Sequence, residues 1–148
     1  MSTNIDPPMD LTEATTPSLL RRLAAMLYDG LLLTALIFVT TAGITLPFGN
    51  PTGGALLAFQ LFIFEIIPLA FFSGFWVQGG QTLGMRAWRL KLVRMDGGKV
   101  RWPDAIKRHF ASLLSLLICG LGFLWVLLDS EKFAWHDRLS NTRLLVVK

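Results

Sequence analysis

Arg22 and Asp29 are seven positions apart, so in a helix of about 3.6 residues per turn they share one face, separated along the axis by roughly 10 Å. Arg22 lies at the edge of an apolar segment, where its long side chain can snorkel to the interface. Asp29 lies about two turns further in, where a carboxylate must face protein or water. The spacing predicts a coupled pair. Its role is either structural, holding helices in register by an ion pair or hydrogen bond, or one of binding and transport. Glu65 stands near the centre of a second apolar segment, and Pro68 three residues later withdraws the usual helical donor from the carbonyl of Phe64. Carboxylates beside broken helical backbone are how many secondary carriers bind protons or cations. A neutral Glu hydrogen-bonded across the bundle is the structural alternative.

Two further stretches carry chemistry-bearing residues. Gly79-Gly80-Gln81-Thr82-Leu83-Gly84 is glycine-rich but has neither the Lys-Ser/Thr of a phosphate loop nor the spacing of a dinucleotide fingerprint. It reads as a sharp turn out of the membrane. Trp135-His136-Asp137-Arg138 includes a histidine that can titrate near neutral pH, and its expected role is surface anchoring. With His109 as the other histidine and Cys119 as the single cysteine, no zinc-site spacing and no Ser-His-Asp set arises. No metal, no cofactor and no enzymatic activity is expected. Cys119 sits within an apolar run and reads as a small buried hydrophobe.

The elements that must position these residues follow from composition. The 148 residues are 53% hydrophobic and 16% charged, against about a quarter charged in a soluble domain, which points to a membrane protein and leaves no room for a separate catalytic domain. Residues 23–46 and 55–77 each exceed the roughly 20 apolar residues needed to span a bilayer and each carry one charge, Asp29 and Glu65. The uncharged Pro/Gly-rich stretch 47–54 is a tight loop between them, and Phe71, Phe72, Phe75 and Trp76 suit an interfacial belt.

A third apolar run, 110–128, is interrupted by Gly120 and Gly122. It either spans or folds back as a re-entrant helical hairpin, whose loop would need protein cover. The fold class expected is therefore all-α transmembrane: a small helical bundle of two spanning helices plus that third span or hairpin. Residues 1–20, with three acidic residues and three prolines, read as a disordered, uncleaved tail, and 21–148 as the membrane domain.

The net charge of +4 does not form a nucleic-acid platform. The basic residues gather instead in 79–109, where Arg86, Arg89, Lys91, Arg94, Lys99, Arg101, Lys107 and Arg108 face Asp96 and Asp104. The positive-inside rule makes this loop cytoplasmic. Within it, residues 88–95 have strand character, Asp96-Gly97-Gly98 signals a tight turn, and 100–102 reads as the return arm of a short cytoplasmic β-hairpin. If the third run is a hairpin, residues 143–148 fall on the same side and can pair with 89–95.

Three motifs in order, Arg22-Leu-Ala-Ala-Met-Leu-Tyr-Asp29-Gly30, Gly80-Gln81-Thr82-Leu-Gly84-Met-Arg86 and His136-Asp137-Arg138-Leu-Ser-Asn-Thr142, resemble the RDD family of small bacterial membrane proteins. The family is named for an Arg and two Asp, and these match Arg22, Asp29 and Asp137, with Asp129 nearby as the alternative for the third. Ser140-Asn141 stands where Ala-Gly is commoner, and Glu65 matches no family motif. The resemblance implies a multi-pass protein of the bacterial inner membrane with its N-terminus cytoplasmic, and at most a transport-related role, sodium/proton exchange having been proposed for some members.

Two functions compete. One is a small carrier with Asp29 and Glu65 as coupling carboxylates; two or three helices rarely enclose a pathway, so this requires self-association or a membrane partner. The other is a non-transporting scaffold or accessory subunit whose basic loop binds anionic lipid or a partner.

Overall fold

The computed structural model describes residues 14–118 and 120–147; the expectations for residues 1–13 and for Cys119 lie outside them. Helix α1 spans Leu19–Phe48, opened by Ser18, whose hydroxyl accepts from the Arg21 amide, and closed at Gly49, where φ is 79°. Thr34 and Thr45 return their hydroxyls to the carbonyls of Gly30 and Thr41, which satisfies polar groups where no water is available. Helix α2 spans Gly54–Gly79. Both are long and apolar enough to cross a membrane, and their most apolar windows are 0% and 6% buried within the chain, so almost all of that surface faces outward.

Within α2, residues Phe62–Ile66 form a π turn in which the Ile67 amide reaches back five residues to the carbonyl of Phe62. The extra residue in that turn lies just before Pro68, which has no amide of its own to offer. Gly80 ends α2 in the left-handed conformation, φ 69°. A short helix α3, Leu83–Ala87, and strand β1, Leu90–Arg94, follow. Helix α4 spans Trp102–Leu117. It is bent by 103° from the next helical stretch, made of α5, Leu121–Leu124, and a 3₁₀ turn, Trp125–Leu127. Gly122 lies so close to Ser115 that a Cβ there would overlap its side chain, which lets the bent pair close on itself. Helix α6, Trp135–Leu139, and strand β2, Thr142–Val146, complete the chain.

Helix α4 is inverted relative to a soluble amphipathic helix. Its polar residues Arg108, His109 and Ser115 are buried, while Phe110, Leu114 and Leu117 are exposed.

The sheet corrects one expectation. Strand β1 pairs antiparallel with β2, in the register Leu90↔Val146, Leu92↔Leu144 and Arg94↔Thr142, as the β-rich tail suggests. The local β-hairpin does not form. Asp96-Gly97-Gly98 does turn, with Gly97 donating to the Arg94 carbonyl and the Gly98 amide to Asp96 Oδ1. However, α4 starts at Trp102, fixed by Pro103 in its first turn and by Asp104, which accepts from the Arg101 amide. Too few residues remain to build a return arm, and on the edge of β1 that the turn faces the Leu92 amide is already bonded to the Gly80 carbonyl, while the tail pairs with the other edge.

The N-terminal segment is also tied down: the Val146 amide donates to the carbonyl of Thr15 at 2.9 Å, and Pro17 is buried. At this end of the molecule the core gathers Ala25, Trp76, Met85, Leu90, Leu92, Val100, Ala105 and Leu144. Trp76 is therefore a core residue and not an interfacial anchor, its ring stacked on Phe72 and covered by the Arg108 guanidinium.

Candidate functional site

Two charged clusters and one acid–base contact surround a single cavity. The first centres on Asp137, held in α6 and fully buried. Its Oδ2 accepts from Arg22 Nη1 of α1 at 2.8 Å and from the Ala134 amide at 3.0 Å, and its Oδ1 accepts from Arg108 Nη1 of α4 at 2.6 Å. Arg22 also donates through Nη2 to the Lys132 carbonyl, and Arg108 Nη1 to the Thr142 hydroxyl. Thr142 in turn meets Ser140, whose hydroxyl donates to the His136 carbonyl. One carboxylate thus ties α1, α4 and α6 to the start of β2.

Burial alone would raise the Asp137 carboxyl, but Arg108, reinforced by Arg22 and its hydrogen bond, outweighs that and holds it well below the usual carboxylate range. Neighbouring His136 is pushed down to about 3 by burial and by Arg108, against the opposing pull of Asp137. It is neutral at physiological pH and packs on Phe123. The 135–138 stretch is accordingly a buried structural centre at His136 and Asp137, not a surface anchor, and His136 does not titrate near neutrality.

The second cluster centres on Asp29. Arg22, Ala25 and Asp29 form the buried stripe of α1, as their spacing predicts, but the two charges are not partners. Asp29 Oδ1 accepts from the Gly84 amide at 2.8 Å, and Oδ2 accepts from the Thr82 hydroxyl. Thr82 is also the N-cap of α3, accepting from the Met85 amide. The paired-charge expectation therefore gives way to two separate anchors, because each carboxylate meets donors from distant segments that helix periodicity cannot reveal.

The glycine-rich turn serves this anchor. Gly80 donates nothing to a phosphate; its carbonyl accepts from the Leu92 amide at 2.7 Å, and a Cβ on it would lie 2.5 Å from the Leu92 carbonyl oxygen. Gln81 Nε2 donates to the Leu90 carbonyl at 2.7 Å.

Asp29→Asn keeps one acceptor for Gly84 and offers an amide that the Thr82 hydroxyl can accept, so a loss of about 1 kcal/mol is expected. Asp29→Ala strands both donors and should cost about 3 kcal/mol. Thermal denaturation of the detergent-solubilised variants checks the order.

Glu65, in the π turn, points to α4, where His109 Nε2 lies 3.3 Å from its Oε1. The cavity between these groups, of about 440 Å³, is lined by Arg22, Asp29, Arg108, His109 and His136 on its polar side and by apolar residues of α1, α2 and α4 elsewhere.

Arg108, His109 and Thr142 are the functional residues that sequence reasoning overlooks. Arg108 counts there as one of eight loop cations. The signal available was its spacing to Ser112 and Ser115, a polar stripe that continues through the otherwise apolar second half of the helix. Asp129, the alternative for the third family residue, pairs instead with exposed Arg138 at 2.8 Å. Among the described residues no group of three or more His, Cys, Asp or Glu side chains could hold a metal.

No curated protein and no solved structure matches the chain. The sequence profile of the RDD family matches residues 16–141, from the segment before α1 to the turn into β2, and encloses the Arg22, Asp29 and Asp137 anchors. The chain belongs to the RDD family.

Proposed function

We propose that the chain is a multi-pass bacterial inner-membrane protein with a transport-related role, in which Glu65 and His109 exchange a proton or cation with the cavity. The observation that carries this reading is the contrast among three carboxylates, of which Asp29 lines that cavity and Glu65 reaches it through His109. Asp29 and Asp137 each have both oxygens engaged by hydrogen bonds from other segments, the mark of fixed structural charges. Glu65 instead faces a titratable partner at 3.3 Å from a π turn, a feature frequent at functional sites. Coupling thus falls to Glu65, and Asp29 is an anchor.

In this reading α1 and α2 span, and α4 with α5 re-enters. The support is that β1 precedes that bent pair, β2 follows it, and the two strands hydrogen-bond, which brings both ends of the pair to one side. The basic loop supports a cytoplasmic position for that side. The outward apolar surface of α1 and α2 leaves room for the self-association that a transport path would require, and no enzymatic activity is proposed.

Purified protein in liposomes with an enclosed pH-sensitive dye and an imposed sodium or potassium gradient tests the proposal. Wild-type protein is expected to move protons, Glu65→Gln to reduce flux at least tenfold with unchanged thermal stability, and Asp29→Asn to retain most of it. Folded wild-type protein that gives no flux under either gradient would favour the scaffold.

A further inference from the structure

The Asp137 cluster has more positive than negative charge. Two guanidinium groups, Arg22 and Arg108, both 5% exposed, share one carboxylate, and His136 beside them is neutral. Asp29 lines the same cavity, but its oxygens are turned to Thr82 and Gly84 and contact neither guanidinium. A buried charge without a counter-charge is costly.

Moreover, the Nε atoms of Arg22 and Arg108 are buried with no hydrogen-bond partner among the described residues, and both side chains line the cavity. Guanidinium groups with spare donors are well suited to phosphate oxygens.

Away from that end the cavity is walled by apolar side chains, including Leu33, Ile37 and Phe64. Its volume of about 440 Å³ lies within the roughly 300–1,000 Å³ of small-molecule sites, too small for two long chains. It reaches the lipid-facing surface, because Phe64 and Leu116, which line it, are 66% and 62% exposed. An anionic end, an apolar body and access from the bilayer together describe one class of ligand.

We propose that the cavity binds an anionic phospholipid drawn from the surrounding leaflet, its phosphate at Arg22 and Arg108 and one acyl chain between α1, α2 and α4. The site does not depend on the transport reading, since binding is measured without flux.

Native mass spectrometry of the full chain in neutral detergent, offered phosphatidylglycerol, phosphatidylcholine of the same acyl chains, or oleate, tests it. Phosphatidylglycerol is expected to be retained at least tenfold over phosphatidylcholine and over oleate. Arg108→Gln should erase that preference, but it also disturbs Asp137. Ile37→Trp therefore supplies the second variant: it fills the apolar end, leaves every charged contact in place, and should lower phosphatidylglycerol retention at least tenfold with unchanged melting temperature. Equal retention of the two phospholipids, or undiminished retention by folded Ile37→Trp, would overturn the proposal. So would oleate displacing phosphatidylglycerol, which would make the ligand a single-chain anion.

Discussion

Asp137→Ala is expected to prevent stable accumulation of the protein. The substitution leaves Arg22 and Arg108 buried together without their shared counter-ion, and breaking a buried pair in this way costs about 3–5 kcal/mol, a large share of the roughly 5–15 kcal/mol of a whole domain. The Ala134 amide loses its acceptor as well. Asp129→Ala, which removes the partner of exposed Arg138 and the acceptor of the Phe133 amide, should accumulate and lose only about 1 kcal/mol. Fluorescence of a C-terminal reporter fusion and thermal melts in detergent measure both; equal behaviour of the two variants would remove Asp137 from the centre of the fold.

The same cluster sets a pH dependence. The folded state keeps His136 neutral down to about pH 3, whereas the unfolded chain takes up that proton near pH 6.5. Stability therefore falls as pH drops from about 6.5 toward 3, because the unfolded state binds more protons across that window. Asp137 adds its own loss only below the ordinary carboxylate range, since its folded pKa is depressed. The groups facing His136 are Arg22, Arg108 and Asp137, none of which changes charge between pH 4 and 7, so His136→Gln should flatten the slope in that interval.

Gly84→Ala is the second substitution expected to have a large effect. A Cβ at this position would overlap the Ala25 carbonyl oxygen of α1 and come within 2.9 Å of the Asp29 carboxyl carbon. Neither can yield easily, since one is helix backbone and the other is held by two hydrogen bonds. Helix α3 must then move off α1 and surrender the amide contact to Asp29. Overpacking of about 1–3 kcal/mol adds to a buried hydrogen bond of about 1–3 kcal/mol. Gly74→Ala, with nothing within 4 Å of the added carbon, should be neutral or slightly stabilising. Side-by-side melting curves distinguish them, and a Gly84→Ala protein as stable as Gly74→Ala would show that α3 does not need that close approach.

Local information reached some features and not others. The two spans are legible because about 20 apolar residues in succession have few alternatives, and the break near Gly120 because glycine interrupts such a run. The pairing of 142–146 with 90–94 was accessible from two β-rich segments that cannot stand alone. What periodicity conveys is which residues share a face, so Arg22 and Asp29 fall on one stripe of α1. It conveys nothing of what meets that face. The partners, Asp137, Thr82 and Gly84, come from segments 115, 53 and 55 positions away, and two charges on one face were mistaken for a pair. The hairpin expectation failed for a related reason: the turn chemistry at Asp96-Gly97-Gly98 was correct, but the edge of β1 that a return arm would need is met by the Gly80 carbonyl and the Gln81 side chain, and the start of α4 at Trp102 cuts the arm short. His136 and Asp137 looked like surface residues because a polar tetrapeptide beside a membrane usually is one.

The closure of β1 by β2, and of Arg22 by Asp137, has a consequence for biosynthesis. Helix α1 carries a guanidinium whose carboxylate is translated 115 residues later, and the strand that completes the sheet follows that carboxylate. During synthesis Arg22 and Asp29 must therefore wait without their final partners, and the domain can lock only once β2 has been made. A chain halted before Asp137 leaves Arg22 and Arg108 without the carboxylate they share. Chains truncated ahead of α6 should therefore be unstable through the same residues that hold the finished one together.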